Sequence, residues 1–146
     1  CSLRFPKAED PSFGALKEAQ ALKAKMEALP GRQVVVHIIV VPPGESIYDE
    51  VFETINRCHA FLALGCIDYG ENTGNDSATY HELAYWKKYC KGRPLVPVRM
   101  ISWDDDHKQI AARNLFHPNV AQLFWLKGTP LPDSLVEEII RVADAR

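Results

Sequence analysis

The chain reads as an α/β domain built on an open, mainly parallel sheet with helices on both faces. Three observations point there. Apolar runs alternate with segments of helical periodicity along the whole chain, the order expected of strand–helix–strand units. The runs lack the strict apolar–polar alternation of a half-exposed strand, as strands covered on both faces do. Turn signals, among them Pro30-Gly31 and Pro42-Pro43-Gly44, separate the elements.

The elements follow in order. Ser2-Leu3-Arg4-Phe5 resembles the end of a short strand, and a polar loop from Pro6 to Pro11 follows it. Phe13, Leu16, Ala19, Leu22, Met26 and Leu29 recur at three- and four-residue intervals, which predicts a helix over 12–29 that Pro30-Gly31 stops. Val34 to Val41 is a β-branched run predicted to be a strand buried on both faces, with His37 as a satisfied core group. Ser46 can cap a helix through Ile47, Val51, Ile55 and Cys58. Ala60–Gly65 is the next apolar strand, and the polar loop from Asp68 to Ser77 leads into a helix over 78–89. Pro94–Met100 reads as a strand whose two prolines argue against a central place. A weakly patterned stretch, 104–116, precedes a last strand at Val120–Leu126 and a closing helix over 131–145.

With 146 residues, 47% hydrophobic and 25% charged, the chain fits one domain, 1–146, with a single core. A formal net charge of −2 gives no electrostatic case for nucleic acid or an anionic membrane. Val34–Val41 is far shorter than the ~20 apolar residues of a membrane span. Cys1, Cys58, Cys66 and Cys90 show no CxxC spacing, so neither a zinc site nor a disulfide framework is expected, and the compartment reads as cytoplasmic. The abrupt, strand-like start without a signal peptide suggests a domain cut from a longer protein.

Ligands of such sheets sit at the carboxyl ends of the strands, which directs attention to the loops after Phe5, Val41, Leu64 and Met100. No GxGxxG, P-loop or GxSxG motif occupies them. The most suggestive segment is Thr79-Tyr80-His81-Glu82-Leu83-Ala84-Tyr85-Trp86, which sets Glu82 near a helix start just after a long loop. Read alone, Glu82 is either a surface glutamate favoured by the helix dipole or a functional carboxylate. Chemistry explains how one carboxylate can suffice. Cleaving the N-glycosidic bond to a cationic nicotinamide passes through an oxocarbenium-like state, which a carboxylate beside the ribose stabilises as it does in glycosidases. The base leaves neutral and needs no proton. Tyr80, Trp86, Tyr69 and Phe5 are candidate stacking aromatics, each with a core role as its alternative. Arg4 suits either bidentate anion binding or a salt bridge to Glu9, Asp10 or Glu45. Asp104-Asp105-Asp106 reads as a solvated loop, and no metal site is expected.

On these residues the sequence resembles the Toll/interleukin-1 receptor (TIR) family over nearly its full length. Leu3 to Asp10 is similar to that family's first strand and acidic loop. Val34–Val41 followed by Pro42-Pro43-Gly44-Glu45-Ser46-Ile47 resembles its second strand and the BB loop. Ile55–Gly65, Ser77–Leu83 and Arg93–Val98 with Trp103 resemble its later helices and strands. The resemblance implies a flavodoxin-like sheet of about five parallel strands. For the enzymatic branch it implies cleavage of NAD, as substrate rather than cofactor, to nicotinamide and ADP-ribose or a cyclic variant, in immune or stress signalling. Glu82 then carries over as the catalytic residue. Arg4, Phe5, Gly44, Cys66 and Tyr69 carry over by position as pocket residues. Active relatives often have tryptophan four residues before the glutamate. Ala78 stands there, which shifts stacking to Tyr80, Trp86 or another chain. The resemblance also implies self-association of TIR domains through Pro42–Ile47. Two further readings compete: a non-catalytic adaptor working by TIR–TIR contacts, and an enzyme like nucleoside deoxyribosyltransferases, which also use a glutamate at a ribosyl carbon.

Overall fold

The computed structural model describes residues 1–3, 10, 12–38, 48–71 and 79–144, the side chains of 48–50 excepted. Five helices and three strands lie among them, alternating from α2 onward: α1 (Leu16–Glu27), α2 (Tyr48–Arg57), β1 (Phe61–Gly65), α3 (Thr79–Tyr89), β2 (Leu95–Arg99), α4 (Ile110–Leu115), β3 (Leu123–Phe124) and α5 (Leu135–Asp144). The strands form one parallel sheet in the order β1-β2-β3. Ser2 bridges Ala63 in the parallel sense. Its amide donates to the Leu62 carbonyl at 2.7 Å and its carbonyl accepts from the Leu64 amide at 2.9 Å, so residues 1–3 lie along the free side of β1.

Side-chain parity divides the core. Leu62 and Leu64 of β1 and Val96 and Val98 of β2 face one way, into a cluster with Ala19, Leu22 and Met26 of α1 and Leu135, Val136 and Ile139 of α5. Phe61 and Ala63 face the other way, among Val51 and Ile55 of α2, Leu83 and Trp86 of α3, and Ala112, Leu115 and Phe116 in and after α4. Helices therefore cover both faces of the sheet, the period-2 consequence of strands that are apolar on both sides, Arg99 at the end of β2 excepted. Gly65 keeps that parity without a side chain. A Cβ there would stand 2.2 Å from the Phe116 ring, so the close packing of Phe116 requires glycine.

Three expectations need correction. Residues 34–38 are not buried on both faces: Val36 is buried, but Val35 is 63% exposed and His37 faces solvent rather than the core. The segment runs along the sheet's margin, with the His37 carbonyl accepting from the Cys1 amino group at 3.1 Å. On the outer side, α1 holds both polar groups of Val36. Lys23 Nζ donates to its carbonyl at 2.6 Å and Glu27 accepts from its amide at 2.8 Å. These two side chains stand where a further strand would bond, which protects an open edge. The remainder of that run, 39–41, lies outside the described residues.

Prolines also proved compatible with a central strand. β2 lies between β1 and β3, and Pro97 pairs with Ala63 in register. The Pro94 carbonyl and the Met100 amide both bond toward β1, at 3.0 and 3.1 Å, so even-numbered residues of β2 serve β1 and odd-numbered ones serve β3. Pro97 thus aims its missing N–H at the β3 side, one residue before that ladder begins at Val98↔Leu123. No ladder bond is lost. Lastly, β3 is confined to Leu123–Phe124 within the expected 120–126, and the weak stretch before it yields only α4.

The four cysteines form no disulfide. No helix among the described residues is long and apolar enough to cross a membrane.

Candidate active site

Two local devices bring the carboxyl of Glu82 to the sheet. The chain turns sharply after β1, with the Tyr69 amide donating to the Cys66 carbonyl at 3.1 Å. Gly70 follows at φ +84°, a left-handed conformation that glycine adopts without strain. Its amide donates to Thr79 Oγ1 at 2.8 Å, and Thr79 is the first residue of α3. That bond ties the start of α3 to the end of β1. Thr79, Leu83, Trp86 and Cys90 are buried, a stripe at helical spacing that faces the sheet. Glu82 stands at the margin of that stripe, in the first turn.

There Glu82 meets Ser2. The Ser2 hydroxyl donates to Glu82 Oε1 at 2.7 Å, across 80 residues of sequence. The same hydroxyl accepts from the Tyr69 hydroxyl at 2.8 Å. Ser2 and Tyr69 are both buried, Tyr69 completely. Glu82 is half-buried, and Oε2 has no partner among the described residues.

Burial pushes the Glu82 carboxyl up from 4.5 to about 7, against the opposing pull of the Ser2 hydrogen bond and the positive Cys1 amino group. The position in the first turn of α3 would favour ionisation by up to about 1 kcal/mol. A displacement of that size corresponds to roughly 3 kcal/mol in the other direction. Desolvation wins. The carboxyl is consequently poised between its two states near neutral pH, where a group that must both carry charge and exchange a proton is most useful.

Glu82 lines a cavity of about 40 Å³ with Ser2, His37, Thr54, Cys58 and Phe61 among its walls. That is space for a few water molecules or a hydroxyl group. A larger groove of about 660 Å³ lies between the start of α1 and residues 125–131, but no ionisable side chain lining it is buried. A groove of about 340 Å³ shares Cys1, His37, Cys58 and Ala60 with the Glu82 cavity.

The expected site residues are distributed as follows. Arg4, Phe5 and the whole of Pro42, Pro43, Gly44, Glu45, Ser46 and Ile47 lie outside the described residues. Tyr69 reaches the site through its hydroxyl only. Its ring is sealed in the core, edge-on to Phe116 at 6.1 Å and 86°, so it offers no stacking face. Trp86 is 2% exposed and packs on Phe61 at 5.3 Å. Its place on the α3 core stripe removes it as a stacking partner. Cys66 is buried just after β1 and is not among the cavity's walls. Tyr80 is 42% exposed, edge-on to His81 at 5.1 Å, and likewise lies outside the cavity. The sequence reading missed Ser2, Thr54 and Cys58. Cys58 follows the last residue of α2, four after Thr54, and its thiol donates back to the Thr54 carbonyl at 3.1 Å. Ser2 carried only a weak signal, a lone hydroxyl in a strand otherwise apolar around it.

No group of three or more His, Cys, Asp or Glu side chains suited to a metal exists among the described residues. The arrangement can instead stabilise positive charge on a neighbouring carbon, accept a proton from a hydroxyl at Oε2, or attack as a carboxylate. No protein-family model, curated protein or solved structure matches the chain.

Proposed function

We propose that this domain is a TIR-type NAD glycohydrolase in which Glu82 is the catalytic carboxylate. The observation that carries the reading is the Glu82 carboxyl, drawn out of water at the first turn of α3, held by one hydroxyl and displaced to about 7. A structural glutamate has no need of such a place, because at neutral pH the ionised form is destabilised there. The reaction is NAD⁺ plus water to nicotinamide, ADP-ribose and a proton. The ionised carboxyl would hold a ribose hydroxyl and stabilise the oxocarbenium-like carbon as the glycosidic electron pair leaves with the neutral base. Water then adds to that carbon. A cavity of about 40 Å³ suits a ribosyl hydroxyl, with the remainder of the dinucleotide outside it.

The order of neighbours supports the flavodoxin-like, five-strand reading. Residues 34–38 lie beside 1–3, which lie beside β1, then β2 and β3. Self-association through Pro42–Ile47, and a cytoplasmic role in immune or stress signalling, belong to the same proposal. Glu82→Ala should abolish nicotinamide release from NAD by the concentrated domain while leaving the fold intact. Release that persists in Glu82→Ala sinks the assignment. Deoxyinosine offered in parallel separates the deoxyribosyltransferase-like alternative, which requires base exchange on it and none on NAD.

One observation favours a second reading, the non-catalytic adaptor. Two of the candidate stacking aromatics, Tyr69 and Trp86, keep their rings in the core, so neither presents a stacking face for nicotinamide. No release of nicotinamide even when the domain is crowded on beads would decide for the adaptor.

A further inference from the structure

The hydroxyl chain behind Glu82 has a direction. Tyr69 is completely buried, and its hydroxyl has Ser2 Oγ as its hydrogen-bond partner. A phenol proton left unpaired in that setting is strongly unfavourable, so Tyr69 donates and Ser2 accepts. The single proton of Ser2 is then free for Glu82 Oε1 at 2.7 Å. Oε1 acts as an acceptor whether Glu82 is ionised or not.

Both donors are anchored, Ser2 by its main chain and Tyr69 by its ring. Ser2 is fixed by two backbone bonds to β1, at 2.7 and 2.9 Å, and the Tyr69 ring is wedged edge-on against Phe116. We propose that Ser2 and Tyr69 are positioning residues for Glu82. They form a donor relay, Tyr69 into Ser2 and Ser2 into Oε1, that reserves Oε2 as the oxygen available to a proton or a substrate hydroxyl. The relay's role in bond cleavage rests on the reading of Glu82 as the reacting carboxyl. Its geometry does not.

Two consequences follow. The relay stabilises the ionised carboxyl, opposing the burial that raises its proton affinity. It also holds the carboxyl plane, so that Oε2 meets the ribose in one orientation rather than two. The other titratable groups facing Glu82 are the Cys1 amino group beside Ser2, His37 from residues 32–38 and Cys58 just after α2. The two variants below leave all of these in place.

The test is a carboxyl-carbon NMR titration of Glu82, with its resonance assigned by Glu82→Gln, in the native protein, Ser2→Ala and Tyr69→Phe. Ser2→Ala should raise the midpoint by about one pH unit, a tenfold gain in proton affinity. Tyr69→Phe should raise it by less, since Ser2 keeps its proton but loses its alignment. A midpoint unchanged or lowered in Ser2→Ala, with a native amide spectrum, overturns the relay. If Ser2→Ala does not fold, an unchanged or lowered midpoint in Tyr69→Phe does the same. Nicotinamide release supplies the second arm. At pH 7 Ser2→Ala should be about fivefold slower than the native domain, because the ionised fraction drops from about a half to about a tenth, and the two should converge by pH 9. A midpoint that moves while the rate profile stays put supports the relay and removes Glu82 from the reaction.

Discussion

Two ionisable side chains drawn out of solvent, Arg99 and Glu82, are housed in opposite ways. The Arg99 guanidinium is buried at the carboxyl end of β2 and donates to four backbone carbonyls: Ile101 at 3.2 Å, Phe116 at 3.2 Å, Ser102 at 3.0 Å and Asp105 at 2.6 Å. The exposed Trp103 ring lies over it, 4.7 Å from centroid to guanidinium carbon. His107 beside it is buried too, stacked on Phe116 at 4.6 Å with its Nε2 bonded to the Gly65 carbonyl at 2.8 Å. Among the described residues Glu82 has one donor, an oxygen left over and a cavity in front of it. The contrast separates structure from function. A buried charge whose bonding capacity is spent on the local backbone organises a loop, here residues 101–106 and the connection to α4. A carboxyl left half-satisfied among the described residues, in the first turn of a helix, retains capacity for a ligand.

The comparison can be tested from its strong side first. Arg99→Met removes the guanidinium from the carbonyls of residues 101, 102, 105 and 116, leaving Ser102 only the Asp105 amide and Phe116 only Gln122 Nε2, and should destabilise the domain by about 3–5 kcal/mol, read from urea unfolding. A loss below ~1 kcal/mol would mean that the loop finds other partners and that Arg99 is no organiser. Glu82→Gln should do the reverse. The native carboxyl binds its proton more tightly when folded, near 7 against 4.5. Its burial is therefore without penalty below pH 4.5, becomes unfavourable between 4.5 and 7, and stays so above. Glu82→Gln should accordingly stabilise the domain by about 2–3 kcal/mol at pH 8 and leave it unchanged at pH 4. Equal stability at both pH values would mean that Glu82 is an ordinary solvated carboxylate.

His107 provides a smaller and opposite pH effect. Burial foremost, with the Arg99 charge adding to it, pulls its proton affinity below the usual 6.5. The unfolded chain then takes up a proton that the folded one refuses, so stability falls as pH drops through 6.5. In the native domain this loss overlaps the gain from Glu82. In Glu82→Gln it should stand alone, as a decline in melting temperature between pH 6.5 and 5 that His107→Gln abolishes. The weakest effect concerns Trp103, which is 54% exposed. Trp103→Ala should lower stability by only about 0.5–1 kcal/mol, the value of an exposed cation–π contact. A larger loss would show that the ring shields the guanidinium from water.

Legibility followed range along the chain. α1, α3 and β1 were readable to within a few residues because periodicity is a property of neighbours. Val34–Ile38 misled because a β-branched run has the same composition at a sheet's margin as at its centre. What differs is that Lys23 and Glu27, from a preceding helix, take up the polar groups of Val36. Trp86 was open to two readings, stacking partner or core, and its place with Leu83 on the buried stripe of α3, which only borders Glu82, decides for the core.

The sequence by itself determined the alternation of strand and helix, the period-2 parity that sends Phe61 and Leu62 to opposite layers, and Glu82 as the carboxyl to watch. These rest on spacings of two to four residues, which local geometry enforces. Only the tertiary structure decided what Glu82 is. Its partner Ser2 stands 80 residues away and meets it because the register beside Ala63 and the tie from Gly70 to Thr79 bring strand end and helix start together. Burial, which sets the charge of that carboxyl, is the summed effect of segments distant in sequence, and no local pattern encodes it.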